Sequence, residues 1–188
     1  MPTSIAKRAP LKVVNLFGAP GIGKSSVRAG LFWLMKSRHH SVEEVTEFAK
    51  QLVLEGTEWQ LRDNQIRLLA DQHHRQLIIS RNGYKFAVTD SPLLLCSFYA
   101  PPEIFPSFHA LAHEAHASFE NFNFLLTRNL EGPGEVFEDR GRLQTREESM
   151  QIAQRMQDYL EKNNIAYTKV PVNEHAPARI LSHLEQFV

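Results

Sequence analysis

Cysteine is almost missing from the chain, which has one, Cys96, in 188 residues. This scarcity excludes an internal disulfide and any cysteine-based metal cluster, because each needs at least two thiols. The position of Cys96 in the apolar run 93–96 predicts a core residue. Low cysteine use suits a reducing compartment, and we therefore expect a cytoplasmic protein.

Long apolar runs are also missing. A membrane-spanning helix needs about 20 consecutive apolar residues, and no stretch of the chain approaches that length. Residues 1–8 lack the apolar segment of a signal peptide. Because 43% of the residues are hydrophobic and 22% are charged, the composition is that of a globular protein, and 188 residues predict a single domain spanning 1–188. We expect no membrane partner.

Acidic residues are absent from the first 42 positions, which hold seven Lys or Arg residues, and the first acid is Glu43. Residues 91–127 show the opposite bias, with no Lys or Arg. The net charge of the whole chain is zero. A basic start favours an anionic ligand, whereas overall neutrality gives no independent support for nucleic-acid binding.

A phosphate-binding loop explains the basic start. Residues 18–25 read GAPGIGKS, a full match to G-x-x-x-x-G-K-[ST], between an apolar strand at 11–17 and a helix from Ser25 to Lys36. In such a loop, backbone N–H groups surround a phosphate, Lys24 adds a positive charge, and the Ser25 hydroxyl ligates Mg²⁺. We therefore predict ATP and Mg²⁺ as ligands. The predicted nucleotide-binding residues here are Gly18, Ala19, Pro20, Gly21, Ile22, Gly23, Lys24, Ser25 and Ser26.

Strands and helices alternate along the rest of the sequence. Further strands are predicted at 41–46, 84–89, 122–127 and 165–170, and helices at 47–54, 59–79, 101–121, 145–163 and 176–187. The segment 41–44 equally fits a helix capping box. After the strand at 84–89, Ser91 is a good helix N-cap with Pro92 at the first helical position. This alternation predicts an α/β fold with a five-stranded parallel sheet covered by helices on both faces.

Two carboxylates compete for the chemistry beside the loop. Asp90 ends the predicted strand at 84–89, and Glu47 follows the strand at 41–46. In a doubly wound sheet both lie at the carboxyl edge, where ligands bind. Asp90 can hold the metal's water shell or accept a hydroxyl proton, and Glu47 can also be the base, so the roles stay open. Motor-type ATPases commonly have a second acid after this Asp, and the chain has Ser91 there instead, which argues against an ATPase of that type. The Asn-Lys-x-Asp motif with which switch GTPases bind the base is absent from the sequence, which argues against a switch GTPase.

A segment rich in glycine and charge, residues 129–146, contains Arg140, Arg142 and Arg146. Arginines that close over phosphates neutralise developing charge and exclude water. We predict that this segment is a lid, with Arg142 catalytic and Arg140 and Arg146 binding nucleotide. The alternative is a solvated charged loop.

Three histidines, His109, His113 and His116, share one face of a predicted helix. The spacing of these histidines fits a metal site. Phe105, Ala112 and Phe119 lie on the same side, however, so the half-buried flank of an apolar helix explains the spacing without a metal. The pairs at 39–40 and 73–74 are predicted to lie on the surface.

The sequence resembles the small P-loop nucleoside and nucleotide kinases, a group that includes thymidylate-kinase-like and nicotinamide-riboside-kinase-like proteins. The likeness is strongest to short kinase-like proteins of bacteriophages. It is carried by residues 18–25, 45–50, 71–73, 89–95, 123–128 and 141–145, and the segments TDSP at 89–92 and GRLQT at 141–145 are its most specific parts.

The resemblance implies ATP–Mg²⁺ as donor and a hydroxyl of a nucleoside-like acceptor. One branch of such phage kinases phosphorylates 5-hydroxymethyluracil within DNA during thymine hypermodification, which gives a specific expectation here. A phage-encoded protein would act in the host cytoplasm. The alternatives are a free nucleoside or nucleoside monophosphate, including nicotinamide riboside, and a nucleotide-gated binding module without kinase activity. The net charge of zero counts against a duplex-DNA substrate, because backbone binding depends on Lys and Arg.

Overall fold

The computed structural model describes residues 10–46, 64–101, 103–128 and 146–187. Five strands lie within these ranges: β1 (Lys12–Phe17), β2 (Val42–Val45), β3 (Phe86–Thr89), β4 (Glu120–Thr127) and β5 (Thr168–Pro171). The helices are α1 (Lys24–Ser37), α2 (Gln65–Arg81), α3 (Leu94–Phe98), α4 (Ser107–Ala117), α5 (Arg146–Lys162) and α6 (Ala176–Leu184), and a 3-10 turn (Glu185–Phe187) follows α6.

The five strands form one parallel sheet in the order β2-β3-β1-β4-β5. The central strand β1 therefore pairs with β3 on one side and β4 on the other. Its connection to β2 and the connection from β3 to β4 run to opposite sides of the sheet. A crevice is expected where the connections diverge, at the carboxyl ends of β1 and β3.

Helices cover both faces of the sheet, as continuous apolar strands require. On one face, α1 and α6 pack over β1 residues Val14 and Leu16. On the other face, α2 and α4 pack over Leu11 and Val13, while α5 packs over Phe17. The fold is therefore the α/β fold that the sequence predicts, a five-stranded parallel sheet covered by helices on both faces.

One local prediction is wrong at the end of β3. The helix begins at Leu94, with Leu93 as its N-cap residue, and Ser91 does not cap it. The backbone N–H of Ser91 instead donates to Oγ1 of Thr89 at 3.0 Å. The N–H of Leu95 then donates to the carbonyl oxygen of Pro92 at 2.9 Å, so residues 92–95 form a turn that leads into the helix. None of the helices in the described ranges has the length and apolar character to span a membrane.

Candidate phosphate-loop site

The loop between β1 and α1 has the backbone shape of an anion cradle. Gly21 and Gly23 adopt positive φ angles of 85° and 95°, a region that disfavours residues with a Cβ atom. Helix α1 begins at Lys24, so its unpaired N–H groups face the loop. The Lys24 ammonium lies over the loop and donates to the carbonyl oxygens of Gly18 at 2.9 Å and Ala19 at 3.0 Å. These groups together suit the phosphates of a nucleotide.

Asp90 lies beside this loop because β3 is the neighbour of β1. The residue follows the last residue of β3 directly, and it is 1% exposed. Neither of its carboxylate oxygens accepts a hydrogen bond from the described residues. A buried polar group without a hydrogen bond is costly, so its presence calls for an explanation such as a ligand.

An arginine from α1 links two carboxylates at this edge. Nε of Arg28 lies 3.5 Å from Oδ1 of Asp90, and Nη1 lies 3.2 Å from Oε2 of Glu44. Glu44 belongs to β2, which pairs in parallel with β3. The side chain of Asp90 is almost fully buried, whereas that of Glu44 is 32% exposed. The end of β3 therefore carries a buried carboxylate, and the neighbouring strand β2 carries an accessible one.

A second polar chain reaches the loop from the other side. The hydroxyl of Ser149, on α5, is fully buried and donates to the carbonyl oxygen of Pro20 at 2.6 Å. The same hydroxyl accepts from Nη2 of Arg128, just after β4, at 3.2 Å. The outer part of the phosphate loop is thus tied to the end of β4 and to the first turn of α5.

The predicted site residues fall into two groups. The structure brings the loop residues 18–26 and Asp90 together at the carboxyl edge of the sheet. Glu47, Arg140 and Arg142, with residues 129–145 of the predicted lid, lie outside the described residues. Arg146 is the first residue of α5.

Sequence reasoning missed four residues that contact this site: Arg28, Glu44, Arg128 and Ser149. For Arg28 a signal was present, because residues three and four positions apart share a helix face, and Arg28 stands at those distances from Ser25 and Lys24. Ser149 gave no signal, because its contact with Pro20 spans 129 positions.

The three histidines of α4 have separate environments. Nδ1 of His109 shares a hydrogen bond with Oγ of Ser97 at 2.9 Å, and Nε2 of His113 shares one with the Tyr159 hydroxyl at 3.1 Å. His116 is buried, and burial lowers its pKa to about 4. In the described ranges no group of three His, Cys, Asp or Glu residues has metal-binding geometry. Burial raises the pKa of Cys96 to about 12, as the core prediction implies.

The oxygen donors of the site fit Mg²⁺. Mg²⁺ prefers hard oxygen ligands and keeps several waters, and the two oxygens of the Asp90 carboxylate, at the end of the strand next to the loop, accept no hydrogen bond from the described residues. Ser25, in the first turn of α1, supplies a hydroxyl at the end of the loop. These two residues would hold the metal, and the loop and Lys24 would hold the phosphates.

The chain belongs to the AAA domain family, whose model matches residues 13–179. It is an AAA-type P-loop domain. No curated protein matches the sequence.

Among solved structures, the fold is similar to deoxyadenosine kinase from M. mycoides. The structure with bound dATP has a TM-score of 0.50 at 16% identity and covers 91% of this chain and 98% of that chain. The structure with bound dCTP has a TM-score of 0.52 at 11% identity and covers 94% and 100%. A structure of APE1195 has a TM-score of 0.42 at 20% identity, and the match covers 63% of this chain and 61% of that one.

Proposed function

We propose that the protein is an ATP-dependent kinase that transfers a phosphoryl group to a hydroxyl of a nucleoside-like acceptor. The observation that carries the proposal is that Asp90, next to a phosphate loop, has a buried carboxylate that accepts no hydrogen bond from the described residues. In P-loop enzymes that cleave the γ-phosphate of a nucleotide, a carboxylate beside the loop helps to hold Mg²⁺ at the phosphates. The fold shared with deoxyadenosine kinase supports the same reaction class.

On the donor side, the chain's own residues bind and orient ATP. The loop N–H groups and Lys24 hold the phosphates, with the Lys24 ammonium exchanging its two carbonyl contacts for phosphate oxygens. Ser25 and Asp90 would hold Mg²⁺, which would neutralise charge on the phosphates.

On the acceptor side, three carboxylates compete for the role of base. Asp90 is inside the site, Glu44 is open to solvent at the end of the neighbouring strand, and Glu47 lies outside the described residues. With Asp90 assigned to the metal, Glu44 is our choice of base, because an accessible carboxylate can reach an incoming hydroxyl.

The first specific acceptor to test is 5-hydroxymethyluracil in DNA. This choice depends on the sequence resemblance to phage kinases alone, and the net charge of zero argues against duplex DNA. Free nucleosides, including nicotinamide riboside, and nucleoside monophosphates are the alternatives. The deoxyadenosine kinase neighbours favour a free nucleoside among them.

The deciding experiment offers γ-labelled ATP and Mg²⁺ with single acceptors: deoxynucleosides, nicotinamide riboside, nucleoside monophosphates and DNA containing 5-hydroxymethyluracil. We expect label on one class of acceptor and slow ATP hydrolysis without it. Fast hydrolysis that no acceptor changes would identify an ATPase instead. Tight ATP binding without transfer or hydrolysis would identify a binding module.

Two variants test the residue assignments in the same assay. Lys24→Ala should lower turnover by about two to three orders of magnitude, the scale for losing one transition-state charge contact. Asp90→Asn should impair turnover severely and raise the Mg²⁺ requirement. Normal turnover in either folded variant would contradict its assigned place. Lys36→Ala removes a cation at the far end of α1 and serves as the control.

A further inference from the structure

Arg28 occupies a position that the phosphate loop alone does not require. It lies on α1 one turn beyond Ser25, with its side chain 15% exposed, and its guanidinium stands between Glu44 and Asp90. Because Ser25 and Arg28 are three positions apart, they share one side of the helix. A metal ion held by Ser25 and Asp90 would therefore be a close neighbour of this guanidinium.

The contacts of Arg28 are charged but poorly formed. Its Nε and Nη1 atoms are buried and make no hydrogen bond of acceptable geometry, although carboxylate oxygens lie within 3.5 Å. A buried ion pair adds to stability only when good hydrogen bonds offset the loss of solvation. The pairing of Arg28 with Asp90 is thus weakly held, and another cation can replace it at small cost.

We propose that Arg28 is a positioning residue that holds Asp90 until a divalent metal takes this carboxylate, after which Arg28 pairs with Glu44 alone. The inference depends on the proposed metal–nucleotide binding, but not on phosphoryl transfer. This exchange of Arg28 for the metal has two effects. The metal competes with Arg28 for the Asp90 carboxylate, and the released guanidinium holds Glu44 in place on the acceptor side. Two cations on one buried carboxylate repel each other, so occupancy by one weakens the other.

The test measures metal binding directly, with Mn²⁺ as the probe in the presence of ADP and free Mn²⁺ followed by electron paramagnetic resonance. Arg28→Met removes the competing charge and should lower the Mn²⁺ midpoint by about tenfold or more, since a charge so close to a divalent ion is little screened. Lys36→Met is the matched control, because Lys36 pairs with Glu43 between the same helix and strand, 3.6 Å apart and further from the loop. Its midpoint should equal that of the wild type.

Two more variants separate charge from structure. Arg28→Lys keeps the charge and should leave the Mn²⁺ midpoint within about twofold of the wild type, although an ammonium cannot bridge two carboxylates as a guanidinium does. Glu44→Gln leaves Arg28 with Asp90 as its one remaining carboxylate partner in the described residues and should raise the midpoint severalfold. If Arg28→Met does not fold, these two variants decide the question.

The outcomes are distinct from those for the proposed function. An unchanged or raised midpoint in folded Arg28→Met, or an unchanged midpoint in Glu44→Gln, overturns the exchange even if the wild type is an active kinase. The expected shifts in a protein that phosphorylates no acceptor support the exchange and overturn the kinase proposal. A wild type that binds no Mn²⁺ with ADP overturns both.

Discussion

His116 makes the stability of the fold depend on pH. The residue lies in α4 with its side chain against the core, 6% exposed, and its Nδ1 atom is buried without a hydrogen-bond partner in the described residues. Burial, with a smaller contribution from His113, lowers its pKa from 6.5 to about 4. The folded protein therefore holds the neutral imidazole at pH values where the unfolded chain is already protonated.

The sign and size of the effect follow from this difference. Above pH 6.5 both states are neutral at His116, so the full stability is present; as the pH falls from 6.5 to 4, protons bind the unfolded chain first and stability is lost. A shift of about 2.5 pKa units corresponds to about 3 kcal/mol of unfolding free energy at 1.36 kcal/mol per unit. Burial also lowers the pKa values of His73 and His113, and these shifts act in the same direction.

Urea unfolding of the wild type and His116→Leu at pH 7.5 and pH 4.5 measures the effect. Leucine removes the titrating group and its unpartnered nitrogen, so the variant should lose about 2.5 kcal/mol less than the wild type between these pH values, because part of the full effect appears only below pH 4.5. His74→Leu, at an exposed histidine on α2, controls for the loss of a histidine in general. If the unfolding free energies of the wild type and His116→Leu differed by the same amount at both pH values, the reasoning would be refuted.

Two further predictions concern packing around α1 and the loop. A Cβ atom at Gly30 would lie 2.9 Å from Cγ of Pro177 on α6, so Gly30→Ala should lower the unfolding free energy, because overpacking costs about 1–3 kcal/mol against a helix-propensity gain of about 1. Adding Pro177→Ala should recover the loss, and higher stability of the single variant would contradict the contact. Ser149→Ala leaves the Pro20 carbonyl unpaired and should cost about 1–3 kcal/mol and weaken ADP binding, measured by urea unfolding and calorimetry. Ser118→Ala, at an exposed serine, should do neither.

The parts of the structure that the sequence predicted correctly depend on residues that are neighbours along the chain. The apolar run before Gly18 and the helix after Gly23 describe a buried strand, a turn and a helix without reference to the rest of the chain. Asp90 followed from the same reasoning, because an acid after an apolar strand reaches the carboxyl edge of a parallel sheet. Neighbouring positions in sequence were sufficient in each case.

The parts that sequence reasoning missed depend on pairing between distant segments. Whether Glu44 meets Arg28 depends on the register of β2 against β3 and on the angle at which α1 crosses them. The pattern Val-Glu-Glu-Val in β2 does not fix that register, since it has no simple alternation. Ser91 resembled a helix cap, but a turn closed by the Leu95 N–H and the Pro92 carbonyl leads into the helix, and the sequence pattern alone does not distinguish a turn from a first helical turn.

Because β1 is the central strand of the sheet, the site can form only after both of its neighbouring strands have been synthesised. The strand that carries the phosphate loop is made before both of its partners, β3 and β4, the second of which ends at Thr127. A nascent chain that has emerged only through Ser37 contains the whole loop motif and neither neighbouring strand. Since parallel pairing joins distant segments and is slow, the motif leaves the ribosome well before it becomes a binding site.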